Sequence, residues 1–324
     1  MSGQRILYLS RADVEAVGVT MAEIIDTLEI AFHEHGLGHV EMPPKPGVHS
    51  RPEAFIHAMP AYIPALHAIG VKWLSAYPAN HERGLPYITG LLVINDDETG
   101  LPLAVMDCTW ITGMRTGAAT AVAAKYLARP ESETVGILGC GVQGRTNLEA
   151  LKTRFPVKRV MAYDSAAESA ERFAAEMRAR FDLDVTVVRN PREAVTGCDM
   201  VVTAGPILHI PHATIQAGWL DEGTFASLVD YDSYWSRAAL KEADKFCTDD
   251  VPQLEHYRSI GYFQDIPPVH ATVGELVTGQ KPGRQSARER TITCNLGLAL
   301  DDMATAPIIY RRAMARGIGT WLPL

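Results

Sequence analysis

The stretch Thr134–Asp164, TVGILGCGVQGRTNLEALKTRFPVKRVMAYD, decides the fold of this chain. A short apolar run at its start predicts a buried strand, and three glycines follow it in the spacing G-x-G-x-x-G. A helical pattern comes next, and a second apolar run ends on Asp164, twenty residues after Gly144. Two strands joined by a glycine-rich turn and a helix are typical of a dinucleotide-binding Rossmann unit.

The three glycines have separate roles in binding a pyrophosphate. Gly139 permits the tight turn, Gly141 has no Cβ to block the phosphates, and Gly144 lets the helix pack close to its strand. The free N–H groups at the start of the helix attract the phosphate charge. Asp164 can accept hydrogen bonds from both hydroxyls of the adenosine ribose but would repel a 2′-phosphate. We therefore predict that the cofactor is NAD rather than NADP.

Composition and charge exclude several classes of protein. The chain has 324 residues, of which 47% are hydrophobic and 21% are charged, so it is long enough for two globular domains. The net charge of −8 gives no indication of a nucleic acid or membrane partner. No apolar stretch is long enough to span a bilayer, and the first residues lack a signal-peptide core. Five scattered cysteines without a C-x-x-C favour a cytoplasmic protein without a metal site.

The two sides of the nucleotide-binding stretch have different patterns. Strand-like runs without crossover helices, as in an antiparallel sheet, precede it at 54–59, 69–77, 87–95 and 101–107. A helix of small residues, Thr109–Ala128, then leads into the Rossmann unit. Strands alternate with helices after the unit, at 184–189, 199–204, 225–230 and 245–250. Six strands alternating with helices indicate a doubly wound parallel sheet.

The predicted fold class is α/β, a Rossmann doubly wound parallel sheet with a smaller α+β domain. We expect residues 117–298 to form the Rossmann, NAD-binding domain. Residues 1–116 with 299–324 should form the substrate-binding and dimerisation domain, because the helical tail Leu296–Arg316 lies beyond the sixth strand and can return to it. Pro307 should kink that tail or start a new helix.

Two aspartates follow the fifth strand of the predicted parallel sheet. Ligands of such sheets bind beyond the carboxyl ends of the strands, so Asp230 and Asp232 are candidates for a general acid or base, or for stabilising an iminium cation. The alternative is that they cap a helix over Trp235–Ala243. His209 and His212 are three residues apart but lack a third ligand, so we interpret them as loop residues.

The first domain offers three cations, Lys45, Lys72 and Arg115. Lys72 lies in an apolar strand, where it is either exposed at an edge or functional. Arg115 lies in the helix of small residues and should have a buried anionic partner. A substrate carboxylate or a cofactor phosphate would fit that partner, because a guanidinium group can bind either in bidentate fashion.

Several segments resemble the ornithine cyclodeaminase/mu-crystallin family, which includes archaeal-type alanine dehydrogenases and ketimine reductases. The resemblance covers essentially the whole chain and rests on MPPK (42–45), HAMPAY (57–62), VKWLSAYPAN (71–80), 101–130, ILGCGVQGRTNLEAL (137–151), the aspartate at 164 and GLALDDMATA (297–306). It implies that Lys45 and Arg115 hold the substrate carboxylate and that Lys72 is the active-site lysine. It also implies that Asp232, rather than Asp230, is the acidic residue near the reacting amine.

The expected cofactor-binding residues include Arg115 and Thr116 and the whole glycine-rich turn. They also include residues at the ends of several strands. The full set is Thr89, Arg115, Thr116, Gly139, Gly141, Val142, Gln143, Gly144, Asp164, Thr203, Ala204, Val229 and Asn295.

We expect an NAD-dependent oxidoreductase that acts on the C–N bond of an α-amino or α-imino acid. One alternative is a cyclodeaminase-type lyase that recycles its NAD, and another is a non-catalytic, mu-crystallin-like protein that binds NAD(P)H or another ligand. His57, a candidate substrate-binding residue, stands where the cyclodeaminases carry a glutamate for the distal amine, which disfavours ornithine. The retained Asp232 and three cations disfavour the non-catalytic alternative. We also expect a homodimer formed through the first domain, because its strands lack enough helix to cover both faces and relatives pair that way.

Overall fold

The computed structural model describes residues 4–51 and 54–324. The chain divides into two compact units, unit 1 with residues 1–115 and 298–324 and unit 2 with residues 116–297. These boundaries lie one residue away from the domain boundaries expected from the sequence. None of the helices in the described ranges is long and apolar enough to cross a membrane.

The strands are β1 (Arg5–Leu9), β2 (Gly47–Arg51), β3 (Ala54–Ile63), β4 (Ala68–Ala76), β5 (Ile88–Asn95), β6 (Pro102–Asp107), β7 (Thr134–Leu138), β8 (Arg159–Tyr163), β9 (Asp184–Val187), β10 (Met200–Thr203), β11 (Phe225–Leu228), β12 (Lys245–Thr248), β13 (Val269–Thr272), β14 (Thr291–Cys294) and β15 (Thr320–Pro323). The α-helices are α1 (Arg11–Ala16), α2 (Met21–Gly36), α3 (Thr109–Leu127), α4 (Val142–Arg154), α5 (Ala167–Phe181), α6 (Arg237–Leu240), α7 (Val251–Ser259), α8 (Val273–Val277) and α9 (Ala299–Arg316). Short 3₁₀ helices cover Pro64–Leu66, Pro78–Arg83 and Pro191–Ala194.

Unit 1 contains a seven-stranded sheet in the order β15-β1-β6-β5-β4-β3-β2. The antiparallel pairing of β3, β4, β5 and β6 agrees with the sequence pattern, whereas β1 pairs with β6 in parallel. The segment Gly47–Arg51, which follows the prolines of MPPKP, forms the exposed edge strand β2. The prolines lie before the strand, where they do not interrupt the hydrogen bonds of the sheet.

Helix α9 packs on β3, β4 and β5, and α2 packs on α9, so unit 1 is covered by helices on one face. The helix continues past Pro307 without a new start, which corrects that part of the expectation. Most of its first nine residues are fully buried, and this burial outweighs the backbone hydrogen bond that proline cannot donate. The sheet residues that face α9 include the buried row Met59, Lys72, Leu92 and Met106, which are paired across four strands.

Unit 2 contains an eight-stranded, fully parallel sheet in the order β13-β12-β14-β11-β10-β7-β8-β9. The expected α/β fold class, with a Rossmann sheet, is confirmed. The chain leaves β7 towards β8 and β9 and then returns to β10 on the other side of β7. This reversal is the topological switch point at which such sheets bind their ligands.

The sequence pattern predicted six strands in unit 2, and the structure adds β13 and β14. Both are only four residues long, and β14 inserts between β11 and β12. The expected helix over Trp235–Ala243 was wrong, since only the short α6 forms there. Trp235 is instead buried and bridges to Ile215, so its backbone is used in a sheet-like contact before the helix begins.

Candidate functional site

The glycine-rich turn between β7 and α4 depends on missing side chains. Gly139 has φ 101°, and a Cβ on it would lie 2.5 Å from the carbonyl oxygen of Ala204. A Cβ on Gly144 would lie 2.2 Å from the carbonyl oxygen of Gly139. By contrast, nothing in the described chain lies within 4 Å of a Cβ built on Gly141, the N-cap of α4. The turn is therefore tightly packed at Gly139 and Gly144. The space next to Gly141 is open, which fits a pyrophosphate at the helix N-terminus.

Asp164, directly after β8, is held by the backbone. Its Oδ2 accepts a hydrogen bond from the amide of Cys140 at 2.8 Å, and its Oδ1 accepts one from the amide of Ala166 at 2.9 Å. Each carboxylate oxygen keeps acceptor capacity for a further donor. The orientation suits two ribose hydroxyls, which are donors.

A pocket of about 330 Å³ in unit 2 extends from Gly139 and Asp164 to Gly205, Asp230 and Tyr234. It opens at the switch point between β7 and β10, where the sequence placed the cofactor. Of the described residues that line it, none is Lys or Arg. A 2′-phosphate in this pocket would be repelled by the Asp164 carboxylate.

Asp230 ties the end of β11 to the chain after β10. The hydroxyl of Thr203 donates to its Oδ1 at 2.6 Å, and the amide of Gly205 donates to its Oδ2 at 2.9 Å. The indole N–H of Trp235 in turn donates to the Thr203 oxygen at 3.1 Å. Burial raises the pKa of Asp230 to about 7, although these hydrogen bonds oppose the shift. Both carboxylate oxygens of Asp230 thus have a partner within the protein.

Asp232 has a different environment, although it too is buried. Its Oδ1 has no hydrogen-bond partner among the described residues. Burial raises the pKa of Asp232, and the nearby backbone amides of Asp232 itself and Phe263 oppose this rise. Neither aspartate caps a helix, because Ser236 is the N-cap of α6 and accepts from the amide of Ala239. A buried carboxylate oxygen without a donor is costly unless a ligand supplies one.

Asn295 is a second incompletely bonded side chain at this edge of the sheet. It follows β14, the neighbour of β11, and its Oδ1 accepts a hydrogen bond from the Thr293 hydroxyl at 2.8 Å. Its Nδ2 is buried without a partner in the described chain. The expected cofactor residues Thr203, Ala204 and Val229 lie at the ends of the adjacent strands β10 and β11. The structure therefore gathers a free acceptor and a free donor at the carboxyl edge of the sheet, and both fit a polar cofactor or substrate.

In unit 1, the cations Lys72 and Arg115 come together around two aspartates. Lys72 is fully buried, and its Nζ lies 2.6 Å from Oδ2 of Asp302 and 3.5 Å from the hydroxyl oxygen of Thr112. Nη1 of Arg115 lies 3.1 Å from Oδ2 of Asp301, and its Nε lies 3.5 Å from Oδ1 of Asp302. Burial, reinforced by Arg115, lowers the pKa of Lys72. Burial raises the pKa of Asp301 to about 6, against the opposing effect of Arg115.

Sequence reasoning missed both aspartates as site residues. They lie in the first turn of α9, and each is fully buried. Arg115 was expected to have a buried anionic partner, and the structure provides it from the protein itself. The signal was the pair Asp301-Asp302 inside an otherwise apolar helix start, since two adjacent buried carboxylates require cations nearby.

His57 lies on β3 near the row that contains Lys72, and Lys45 precedes β2. Gly47 is paired with His57, and Met59 on β3 is paired with Lys72 on β4. Lys45 is buried, and the ring of His57 stacks on Phe55 with centroids 4.1 Å apart. His57 is two residues from Met59, so both side chains face the same side of β3 as Lys72.

Thr89, an expected cofactor-binding residue, does not lie on the same face of the sheet as Lys72. It lies on β5 three residues from Leu92, the partner of Lys72, and therefore points to the opposite face of the sheet. Thr116 is buried and begins unit 2 within α3. Val142 and Gln143 form the first residues of α4 at the glycine-rich turn.

Comparisons with known proteins agree on one family. The model of the ornithine cyclodeaminase/mu-crystallin family matches residues 6–317. Alanine dehydrogenase of Archaeoglobus fulgidus is 36% identical over 323 residues, which are 97% of this chain and 97% of that protein. The structure of Thermococcus litoralis Δ1-pyrroline-2-carboxylate reductase with NADH and L-proline has a TM-score of 0.89 and 34% identity, covering 97% of this chain and 99% of the other. An archaeal alanine dehydrogenase dimer with bound NAD also has a TM-score of 0.89 and 34% identity, covering 99% and 100%.

Proposed function

Because the chain belongs to the ornithine cyclodeaminase/mu-crystallin family, we propose that it is an NAD-dependent oxidoreductase acting on the C–N bond of an α-amino or α-imino acid. The observation that carries the proposal is Asp232, a buried carboxylate with one unpartnered oxygen at the carboxyl edge of a Rossmann sheet. The similar alanine dehydrogenase and pyrroline-2-carboxylate reductase are named for reactions of this class.

The residues of unit 2 fit NAD as the cofactor. The open space before Gly141 would receive the pyrophosphate, and Asp164 would accept from the ribose hydroxyls. Bound NAD would take up or supply the hydride at the substrate Cα. The unpartnered Nδ2 of Asn295 supports its assignment to a polar group of the cofactor, for which it would be a donor.

In unit 1, we assign Lys45, Lys72 and Arg115 to the substrate carboxylate. Within this set, Lys72 is paired with Asp302, and Arg115 with Asp301 and Asp302. A substrate carboxylate would be a further anionic partner for the cations in a buried environment, where Coulomb interactions are strong. The aspartates hold the lysine and the guanidinium group in place before the substrate arrives.

Asp232 would exchange a proton with the substrate nitrogen. As the ionised base it can accept a proton from the α-ammonium group before hydride leaves. In the reductive direction the protonated carboxyl would return the proton to the nitrogen, and burial, which raises the pKa of Asp232, favours that form relative to an exposed carboxyl. Asp230 is excluded from this role in our assignment because Thr203 and Gly205 occupy its oxygens.

We also propose a homodimer formed by the sheet of unit 1. The helices α2 and α9 cover one face of that sheet, while Trp73 and Leu91 are about half exposed on the other. An apolar sheet face of this kind usually packs against a partner. One of the similar structures is itself described as a dimer.

A spectrophotometric panel tests the proposed function. The purified protein is mixed with NAD and each of a series of L-amino acids, and with NADH and keto acids plus ammonia, keto acids plus amines, or cyclic imino acids. We expect net formation or consumption of NADH with at least one substrate. Release of ammonia from a diamino acid without net change in NADH would indicate the lyase alternative. Cofactor binding without any turnover across the panel would contradict the proposal and favour the non-catalytic alternative.

A further inference from the structure

Tyr231, between the two aspartates, has an unusual backbone conformation. Its φ is 62°, in the left-handed region that non-glycine residues rarely adopt and that is a clear outlier for a bulky side chain. In an extended chain, residues two apart point to the same side. Without a turn at Tyr231, the side chains of Asp230 and Asp232 would therefore face the same surroundings. The left-handed residue between them turns the second carboxylate away from the first.

The ring of Tyr231 is held by an aromatic cluster, which consists of Tyr231, Tyr257, Tyr262 and Phe263. The ring centroid of Tyr231 lies 5.0 Å from that of Tyr257, 5.1 Å from that of Phe263 and 5.7 Å from that of Tyr262. Tyr231 itself is only 5% exposed. Packing on three sides fixes this ring and hence the strained backbone that carries it, since strained residues persist only where their surroundings over-determine them.

The same cluster also reaches the Asp232 carboxylate through the backbone. Phe263 is fully buried with φ 53°, and its backbone amide opposes the rise in the pKa of Asp232. The side chain of Gln264 anchors this loop by donating to the carbonyl oxygens of Arg258 at 3.0 Å and Tyr262 at 2.9 Å. The aromatic cluster thus packs around the turn at Tyr231 and includes the residue whose amide acts on the Asp232 carboxylate.

We propose that Tyr231 is a positioning residue for Asp232. The aromatic cluster holds the left-handed turn at Tyr231, which directs Asp230 to Thr203 and Gly205 and leaves Oδ1 of Asp232 available to the substrate nitrogen. This inference rests on the proposed function, in which Asp232 exchanges a proton with that nitrogen. It assigns a task to a residue that touches neither substrate nor cofactor.

The test compares the pH profile of kcat in variants at Tyr231. Tyr231→Gly and Tyr231→Ala remove the ring, and Tyr231→Phe keeps it. We expect the first two to lower kcat by about tenfold or more, a part of the effect typical of an acid–base group, without changing KM for NAD. Loosening the cluster admits water to Asp232, so the acidic limb of the kcat profile should move to lower pH. Tyr231→Phe should keep the wild-type kcat and the wild-type position of the acidic limb.

Two comparisons separate positioning from packing. Phe155→Ala also removes a buried ring, at the C-terminal end of α4, and should lower Tm but leave kcat and its pH limb unchanged. Tyr231→Gly should have a higher Tm than Tyr231→Ala, because glycine adopts a positive φ without strain. If Tyr231 only fills space, both variants will keep the wild-type kcat and limb, and the proposal is wrong.

Asp232→Asn distinguishes failure of this inference from failure of the proposed function. An inactive Asp232→Asn protein with fully active Tyr231→Gly and Tyr231→Ala proteins would overturn the positioning role alone. A fully active Asp232→Asn protein would overturn the proposed function of Asp232 and the positioning role with it. Should the Tyr231 truncations not fold, Tyr257→Leu loosens the same cluster from outside the turn, and an unchanged pH limb in that variant also overturns the positioning role.

Discussion

Asp230 and Asp232 are separated by one residue, but their carboxylates differ in hydrogen bonding. Asp230 accepts from a hydroxyl and an amide, whereas one oxygen of Asp232 has no partner among the described residues. The sequence could place both at the carboxyl edge of the sheet, because strand ends are readable from apolar runs. It could not separate their roles, since these depend on a left-handed turn and on a loop about thirty residues further along the chain.

Replacing each aspartate by asparagine should therefore have different results. Asp232→Asn keeps the shape but loses the base, so we expect kcat to fall by about 10²–10⁴-fold with little change in Tm. Asp230→Asn presents an NH₂ group to a donor, so stability should fall by about 1–3 kcal/mol with a smaller effect on kcat. Melting temperature and kcat of both variants are the measurements. The reverse pattern would mean that Asp232 is structural.

The expected preference for NAD over NADP also depends on a single residue, Asp164. Asp164 is fixed by two amides, and the described pocket around it offers no lysine or arginine. We expect a higher kcat/KM with NADH than with NADPH. The double substitution Asp164→Ser and Ser165→Arg should shift the preference towards NADPH, because it removes a carboxylate and supplies a guanidinium group. A wild-type preference for NADPH would contradict the account of this pocket.

Helix α9 supplies two charged side chains, Asp301 and Asp302, whose place in the site local sequence patterns did not reveal. Arg115 and Lys72 were recognisable because a charged residue in an apolar strand or helix is unusual. Their partners Asp301 and Asp302 are nearly two hundred residues away from Arg115 in sequence, so only the folded chain joins them. The strands β13 and β14 were also missed.

Substitutions of Lys72 distinguish a substrate-binding cation from a structural one. Lys72→Ala leaves Asp302 buried without its nearest cation, which typically costs about 3–5 kcal/mol. We expect loss of useful turnover together with a lower Tm, while NAD binding measured by fluorescence titration persists. Arg115→Ala should behave in the same way.

A matched double substitution provides the control for stability. Lys72→Met combined with Asp302→Leu replaces the buried ion pair by apolar groups, an exchange that is often neutral or stabilising. The double variant should regain much of the lost Tm and remain inactive. Recovery of kcat/KM together with Tm would show that Lys72 has only a structural role.

At the scale of the whole molecule, the sequence indicated one parallel sheet and one mostly antiparallel sheet, and both are present. The long, strongly patterned elements were predictable because burial on one face imposes a period on the sequence. Trp73 and Leu91 are about half exposed on the face of the unit 1 sheet opposite to Lys72, and the proposed dimer would bury them.

The dimer prediction is tested by sedimentation equilibrium. The wild-type chain should sediment as a dimer at micromolar concentration, and Trp73→Glu with Leu91→Glu should give monomers, because buried charges in an apolar interface are unfavourable. Ile30→Glu changes an exposed apolar residue on α2 and serves as the control that remains dimeric. A monomeric wild-type chain would contradict this part of the account.

Transfer of deuterium from the cofactor to the substrate tests the central claim most directly. The protein is incubated with NADH that carries deuterium at both positions of nicotinamide C4 and either pyruvate plus ammonia or Δ1-pyrroline-2-carboxylate, and products are analysed by mass spectrometry and NMR. If the chain is an oxidoreductase of α-imino acids, an amino acid product will carry one deuterium at Cα, and Asp232→Asn will form far less of it. Absence of deuterated amino acid from both these probes and a wider panel of imino acids, despite saturating NADH, would contradict the proposed function.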